Sequence, residues 1–309
     1  MLLGIVVSAA LFFAGFFAHS WFTHSPSAGS ANDKHASYPL LAKRIFMSNP
    51  NDIIINFVSM RQQLGTYFTN NNLTGSLYFQ YLPTGTTVQT ANDQQEVAAS
   101  LMKLPTAMDA YRAVEMHKAN LDTVITLQPS MLDSDFGTLY QKGAGYKLTL
   151  REAIRIMLEQ SDNTALNAVL SVTGGAVPAA ANSLNAVDVS YVQNSDQSVS
   201  ISARSYSSLL SCLYFSCYNT YQDSQAILDQ LAHSNFNDGL VAGIDDKSIR
   251  VAHKIGVYNN ANQSDCGIVY VPQRPYLVCI MLNGPDNATT QGHIADLSKI
   301  IYQYIKTRP

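Results

Sequence analysis

The chain has 309 residues, a formal net charge of -3, and 13% charged residues against 47% hydrophobic ones. No basic run or basic domain stands out, which excludes a nucleic-acid binder working by phosphate neutralisation. About 280 residues remain beyond the N-terminal segment, enough for one large globular core.

Residues 1–24 stand apart. Leu2 to Phe22 reads LLGIVVSAALFFAGFFAHSWF, about the length of a bilayer-crossing helix. No basic n-region precedes it and no A-x-A site follows, so an uncleaved membrane anchor is favoured over a secretory signal peptide. Residues 25–44 then read as a linker (SPSAGSANDKHAS) before a domain at 45–309. Either reading places that domain outside the cytoplasm, anchored or secreted. Four cysteines suit that location. Cys266 and Cys279 flank an expected hairpin and Cys212 and Cys217 lie in a helical segment, but four cysteines allow three pairings and also four thiols. With no C-x-x-C pair and no H-E-x-x-H helix, neither a metal nor a cofactor is expected.

Asp52 is the expected cap of a helix through IIINFVSMRQQLGTYF. Leu73 to Tyr81 reads as a strand, turning at Pro83 to Thr86 into a second strand, Thr87 to Ala91. From Val97 the pattern turns helical, with Pro105 kinking the run or ending its first turn. Leu148 to Gln160 is an amphipathic helix ending just before Ser161. A further helix runs from Asn163 to Val172, stopped at Gly174-Gly175. Pro178 to Ala186 is helix-like, Asp188 to Ser200 is polar, and Ser202 to Tyr214 is helical again. Arg250 to Tyr258, Cys266 to Val271 and Pro275 to Met281 read as three strands, with Gln273-Arg274 the tip of a hairpin. His293 to Ile305 closes the chain as a helix.

Strands thus sit at both ends with a helical insert between them. The simplest packing is α/β of the α+β type: an antiparallel sheet from 45–95 and 245–309 flanked by the terminal helices, and a helical lobe at about 96–244.

The chemistry sits in three short motifs. Ser100-Leu101-Met102-Lys103 places a hydroxyl and an amine one helical turn apart, so that the amine can take the proton of a weak nucleophile. Ser161-Asp162-Asn163 follows, then Lys254-Ile255-Gly256. Bare S-x-x-K is weak, but AASLMKLP, LTLREAIRIMLEQSDNTALNAVL and VAHKIGVY come in a fixed order, about sixty and about ninety residues apart.

With these motifs the chain resembles the serine β-lactamase and D,D-peptidase superfamily, penicillin-binding proteins included, closest to class A β-lactamase-like serine hydrolases. The resemblance covers most of residues 45 to 309. It implies the five-stranded antiparallel sheet of that fold, and a role for each matching residue. Ser100 is implied as the nucleophile, Lys103 as its base, and Ser161 as the proton relay to the leaving amine. Asn163 and Lys254 are implied to hold substrate. Gly256 lets the strand approach it, and the N–H of Val257 joins that of Ser100 as the oxyanion hole. The residues alone leave other readings: Ser161 and Asp162 as a helix cap, Lys254 as an edge-strand lysine. His253 points by alternation to the opposite face.

Two departures follow. The family's deacylating loop glutamate has no counterpart, since Glu159 is the last glutamate. Asn182-Ser183-Leu184-Asn185 copies only the end of that segment, and Asp188 and Asp196 are the only carboxylates of the short loop after it. Ile255 stands where the family has a Thr or Ser whose hydroxyl binds a carboxylate; Ser264, Tyr258 or Arg274 are the candidates to replace it. The expected function is a serine hydrolase acylated at Ser100 by a β-lactam or a peptidoglycan-derived peptide amide, with slow deacylation. A non-catalytic binding module that keeps the fold is the alternative.

Overall fold

A computed structural model describes residues 55–90, 94–174, 181–196, 198–259 and 262–307. All belong to one compact unit, Leu40–Pro309. The expected anchor, the linker and Asp52 lie outside the described residues. No helix among those described is long and apolar enough to cross a membrane.

The first helix among the described residues, α1 (Val58–Asn70), begins later than periodicity suggested and has no side-chain cap. Ile55 and Phe57 are spent differently: both are buried in the core, where the Phe57 ring lies 5.2 Å from Phe79 and 5.5 Å from Tyr81. Ile55 and Phe57 therefore record core contact and not helix. Strands β1 (Thr74–Tyr81) and β2 (Thr86–Thr90) follow as expected.

The run expected to be helical from Val97 is three things: β3 (Gln95–Val97), a 3₁₀ turn (Ala99–Met102) and α2 (Lys103–Glu115). Pro105 is the third residue of α2, where its missing N–H costs no helical bond. Two short strands, β4 (Val124–Thr126) and β5 (Lys147–Thr149), pair ahead of α3 (Leu150–Glu159). Thr149 and Glu152 close a capping box at the start of α3. Next come α4 (Asn163–Thr173), ended by Gly174 at φ 79°, and α5 (Ala181–Ala186).

The polar stretch after Asp188 is a hairpin and not a plain loop: β6 (Tyr191–Gln193) and β7 (Val199–Ser202) pair with each other, and β7 pairs with β3. Helix α6 (Ala203–Phe215) is followed by α7 (Tyr221–Ala232), which had no counterpart among the expected elements although Thr220 and Asp223 form its cap. Strands β8 (Val251–Tyr258), β9 (Asn262–Val269) and β10 (Tyr276–Asn283) match the three expected. The last helix, α8 (Asn287–Lys306), starts earlier than expected because the Asp286 side chain caps its polar first turn.

The five-stranded antiparallel sheet has the order β2-β1-β10-β9-β8, which makes β8 an edge. On one face Leu77, Phe79, Val278 and Ile280 pack with Met60 and Leu64 of α1 and Leu297 and Ile301 of α8. Each such buried side chain contributes about 1.5–3 kcal/mol. Helix α6 lies against β1, β9 and β10, and α7 against β8. Both cysteine pairs are disulfides, Cys212–Cys217 and Cys266–Cys279, the latter between facing residues of β9 and β10.

Candidate active site

The Ala99–Met102 turn packs against β8. In a 3₁₀ turn residues three apart eclipse one another, so the Ser100 and Lys103 side chains stack. The Lys103 Nζ is 2.8 Å from Ser100 Oγ. Ala99, at φ 46°, and Ser161, at φ 56°, both occupy the left-handed region, a strain of about 1–3 kcal/mol for a residue other than glycine. The reversal at Ser161 joins α3 to α4 and turns both its carbonyl and its hydroxyl onto Lys103, at 2.8 and 3.4 Å.

Lys103 is 2% exposed and also donates to Asn163 Oδ1 at 2.7 Å. The Asn163 amide is oriented by its other end: Nδ2 donates to Asp133 Oδ1 at 3.2 Å, so the oxygen must face the amine. Asp162 is buried and anchors the motif. Its Oδ1 accepts from Ala165 N at 2.8 Å as the cap of α4, and Oδ2 accepts from Thr138 N and Leu139 N at 2.7 and 2.8 Å. Gly137, at φ 98°, leaves room for it, since a Cβ there would lie 2.1 Å from Asp162 Oδ2.

Lys254 comes from the edge strand with 1% exposure. Its Nζ donates to Ser161 Oγ at 2.8 Å and to Ile255 O at 3.0 Å, and lies 5.8 Å from the Phe236 ring centroid. Ser161 thus sits between two amines. Burial lowers the Lys103 pKa to about 8, with Asp162 and Asp133 opposing. Burial, then the charge of Lys103, pushes Lys254 well below the lysine range.

Lys103 Nζ donates to Ser100 Oγ, Ser161 O and Asn163 Oδ1. Once it loses a proton, its two remaining N–H groups suffice for the obligate acceptors, the Ser161 carbonyl and the Asn163 amide oxygen, and its lone pair is free for the Ser100 hydroxyl. The arrangement can therefore remove a proton from Ser100 and pass one through Ser161.

Gly256 is needed for close approach, because a Cβ on it would stand 2.7 Å from Ala98 O and 3.0 Å from Leu101 Cγ. Val257 is the next residue along, half-buried at the strand edge.

Residues 59–305 match Beta-lactamase2, the beta-lactamase enzyme family. The chain belongs to that family. No curated protein matches the sequence. Among solved structures, a penicillin-G acyl-enzyme complex of a PBP-A mutant is 24% identical, covers 81% of this chain and 97% of its own, and superposes with a TM-score of 0.74. The beta-lactamase of Sphaerobacter thermophilus is 19% identical, with 82% and 99% covered and a TM-score of 0.74. A mutant of the class A β-lactamase of the last common ancestor of Gram-negative bacteria is 20% identical, with 81% and 100% covered and a TM-score of 0.73. At such identities these structures speak for the fold.

Against the beta-lactamase family pattern, this chain brings together Ser100, Lys103, Ser161, Asn163 and Lys254. Ile255 shares a sheet face with His253 and Val257, away from Lys254, as the register with Asp265 and Gln263 requires. Of the three candidates to replace a hydroxyl there, Arg274 donates to Ile305 O and Tyr258 to Asp196 Oδ2, while Ser264 is buried opposite Gly256. Asp196 is held ionised chiefly by Ser198, whose Oγ lies 2.6 Å away, and Asp188 is exposed. Asn182 to Asn185 falls on α5, where the Ser183 hydroxyl donates to Pro105 O.

Sequence reasoning missed several neighbours. Asp133 carried one signal, an Asx turn in which its Oδ1 accepts from Asp135 N at 2.8 Å. The Phe136 and Phe236 rings, 5.9 Å apart, carried none; they join the Asn163 side of the site to the Lys254 side. Nor did the buried pair His253 Nδ1–Asp265 Oδ1, at 2.7 Å behind β8.

Proposed function

We propose that this chain is an active-site serine hydrolase acylated at Ser100 by a β-lactam or by an amide of a cell-wall peptide. The observation that carries the reading is the 2.8 Å contact between Lys103 Nζ and Ser100 Oγ, with the other Lys103 hydrogens already directed to Ser161 O and Asn163 Oδ1. Neutral Lys103 takes the Ser100 proton as Oγ attacks the carbonyl carbon. The carbonyl oxygen becomes an oxyanion held by the N–H groups of Ser100 and Val257. The proton then passes through Ser161 to the leaving nitrogen as the carbon–nitrogen bond breaks, leaving an ester on Ser100. Asn163 and Lys254 line the path of the substrate. The similarity to a protein captured as a penicillin-G acyl-enzyme supports the same reaction here.

Clearing the ester needs a base that activates water. The family's loop glutamate is absent, and Asp196 is engaged by Ser198 and Tyr258. Deacylation is therefore slow. Two disulfides suit an oxidising compartment, and the apolar N-terminus serves as anchor or signal.

Incubation with a labelled penicillin and intact-mass analysis tests the proposal. The expected result is one adduct that vanishes in Ser100→Ala; no adduct on folded protein at high probe concentration turns the reading to a non-catalytic binding module. After removal of free probe the adduct persists for minutes or longer, and turnover many times per second would refute slow deacylation. Gly256→Ala forces β8 back from the Ser100 turn. It is expected to slow acylation by about tenfold or more at a stability cost of about 1–3 kcal/mol, read by adduct kinetics and denaturant melts. An unchanged acylation rate removes Gly256 and Val257 from the oxyanion site.

A further inference from the structure

Beside Ile255 a crevice is lined by Phe236, Asp238, Gln263, Asp265 and Gln291 as well as Ile255 itself. Its free volume is ≈ 10 Å³, room for about one water, and Ile255 is 7% exposed. A substrate group therefore meets only the rim, where Ile255 offers no hydrogen-bond donor and Asp238 is exposed, with the charge of the wrong sign for a carboxylate; Asp265 lies behind, paired with His253.

The cations on β8 and at the ends of β8 and β10 are engaged elsewhere. Lys254 gives its hydrogens to Ser161 Oγ and Ile255 O from a fully buried position. His253 Nδ1 is committed to Asp265 Oδ1, whose partner oxygen accepts from Leu240 N at 2.8 Å. Arg274 donates to Ile305 O, and Arg250 lies 3.7 Å from Asp229. Ile255 lies two residues before Val257 on the same face of β8, so a substrate whose carbonyl points to the N–H groups of Ser100 and Val257 would extend along this wall.

We infer that the substrate presents a neutral or cationic group beside Ile255 and not a free carboxylate. The cognate amide is then internal to a peptide, or its neighbouring acid is capped as an amide. A terminal acid meets an apolar side chain where it needs a hydrogen-bond donor, and the Asp238 carboxylate where it needs a cation. This inference rests on acylation of Ser100.

The test compares penicillin G, its methyl ester and its aminoethyl amide as acylating probes, scored by intact mass over time. The ester and the amide are expected to acylate Ser100 about tenfold or more faster than the free acid. Ile255→Thr keeps a β-branched strand residue and supplies a hydroxyl. It is expected to raise the acid-to-ester rate ratio by about tenfold or more, and Asp238→Asn to raise the same ratio in a chain that melts like the wild type. A free acid that reacts as fast as its ester, or a ratio unmoved by both substitutions, overturns the inference and leaves acylation of Ser100 standing. No adduct from any probe overturns the acylation reading and this inference together.

Discussion

Lys103→Met lowers the acylation rate by about a hundredfold to ten-thousandfold, the usual contribution of a positioned base, in a protein that still folds. Met matches the length of the lysine stem and needs no solvation. The change leaves Ser161 O and Asn163 Oδ1 without the donor they now have, at about 1–3 kcal/mol for each buried acceptor, partly offset because no amine is then buried. The pH profile separates a base from a structural lysine. The Lys103 pKa lies at about 8, and only the neutral amine accepts a proton. Acylation of the native protein therefore rises as pH increases through about 8 and levels off above it. In Lys103→Met that rising limb disappears. A Met variant that acylates within tenfold of the native rate, or that keeps the limb, shows that another group takes the Ser100 proton.

Asp162→Ala has the largest expected effect on stability. One carboxylate accepts three backbone N–H groups, from Ala165, Thr138 and Leu139. Hydrogen bonds to charged groups contribute about 1.5–3 kcal/mol each. Allowing for partial relaxation, the expected loss is about 3–6 kcal/mol, or a fall in Tm of about 10–20 °C at this chain length. Acylation falls as well, because Ser161 and Asn163 flank the lost anchor and both contact Lys103. Asp162→Asn keeps the shape and one acceptor oxygen, so it recovers part of both losses. Differential scanning calorimetry with adduct kinetics reads the two effects. A melting point within about 2 °C of the native one would mean that the three N–H groups find other partners and that Asp162 is not what holds the loop.

The motifs were readable because their geometry is local. Ser100 and Lys103 are three residues apart on one turn, and that spacing alone makes the hydrogen bond. Thr149 and Glu152 announce the start of α3 in the same way. The five strands showed through apolar runs bounded by turn residues, and only their ends moved. Local signals also misled. The apolar residues before Val58 looked like the first turn of a helix, yet Ile55 and Phe57 serve the core from outside it. The polar segment from Asp188 looked like loop, yet β7 finds β3 as a partner about a hundred residues earlier; short strands of this kind owe their existence to the neighbour they pair with.

Ile255 shows the division most plainly. Alternation along β8 was enough to place it on the face of His253 and Val257, opposite Lys254. What stands next to it was not, because Phe236 and Asp238 come from one loop, Asp265 from β9 and Gln291 from α8, three segments far apart in the chain. The amino-acid order carried the types of element, the three motifs, and the absence of a glutamate after Glu159, since each depends on periods and spacings within a few residues or on plain composition. The contact of Lys254 with Ser161, 93 residues apart, the aim of Asn163 at Lys103 through Asp133, and the acidic wall beside Ile255 came only with packing. A hydrogen bond needs atoms within about 3 Å, and distances that short between remote segments exist only once the sheet edge and the helical lobe have closed on one another.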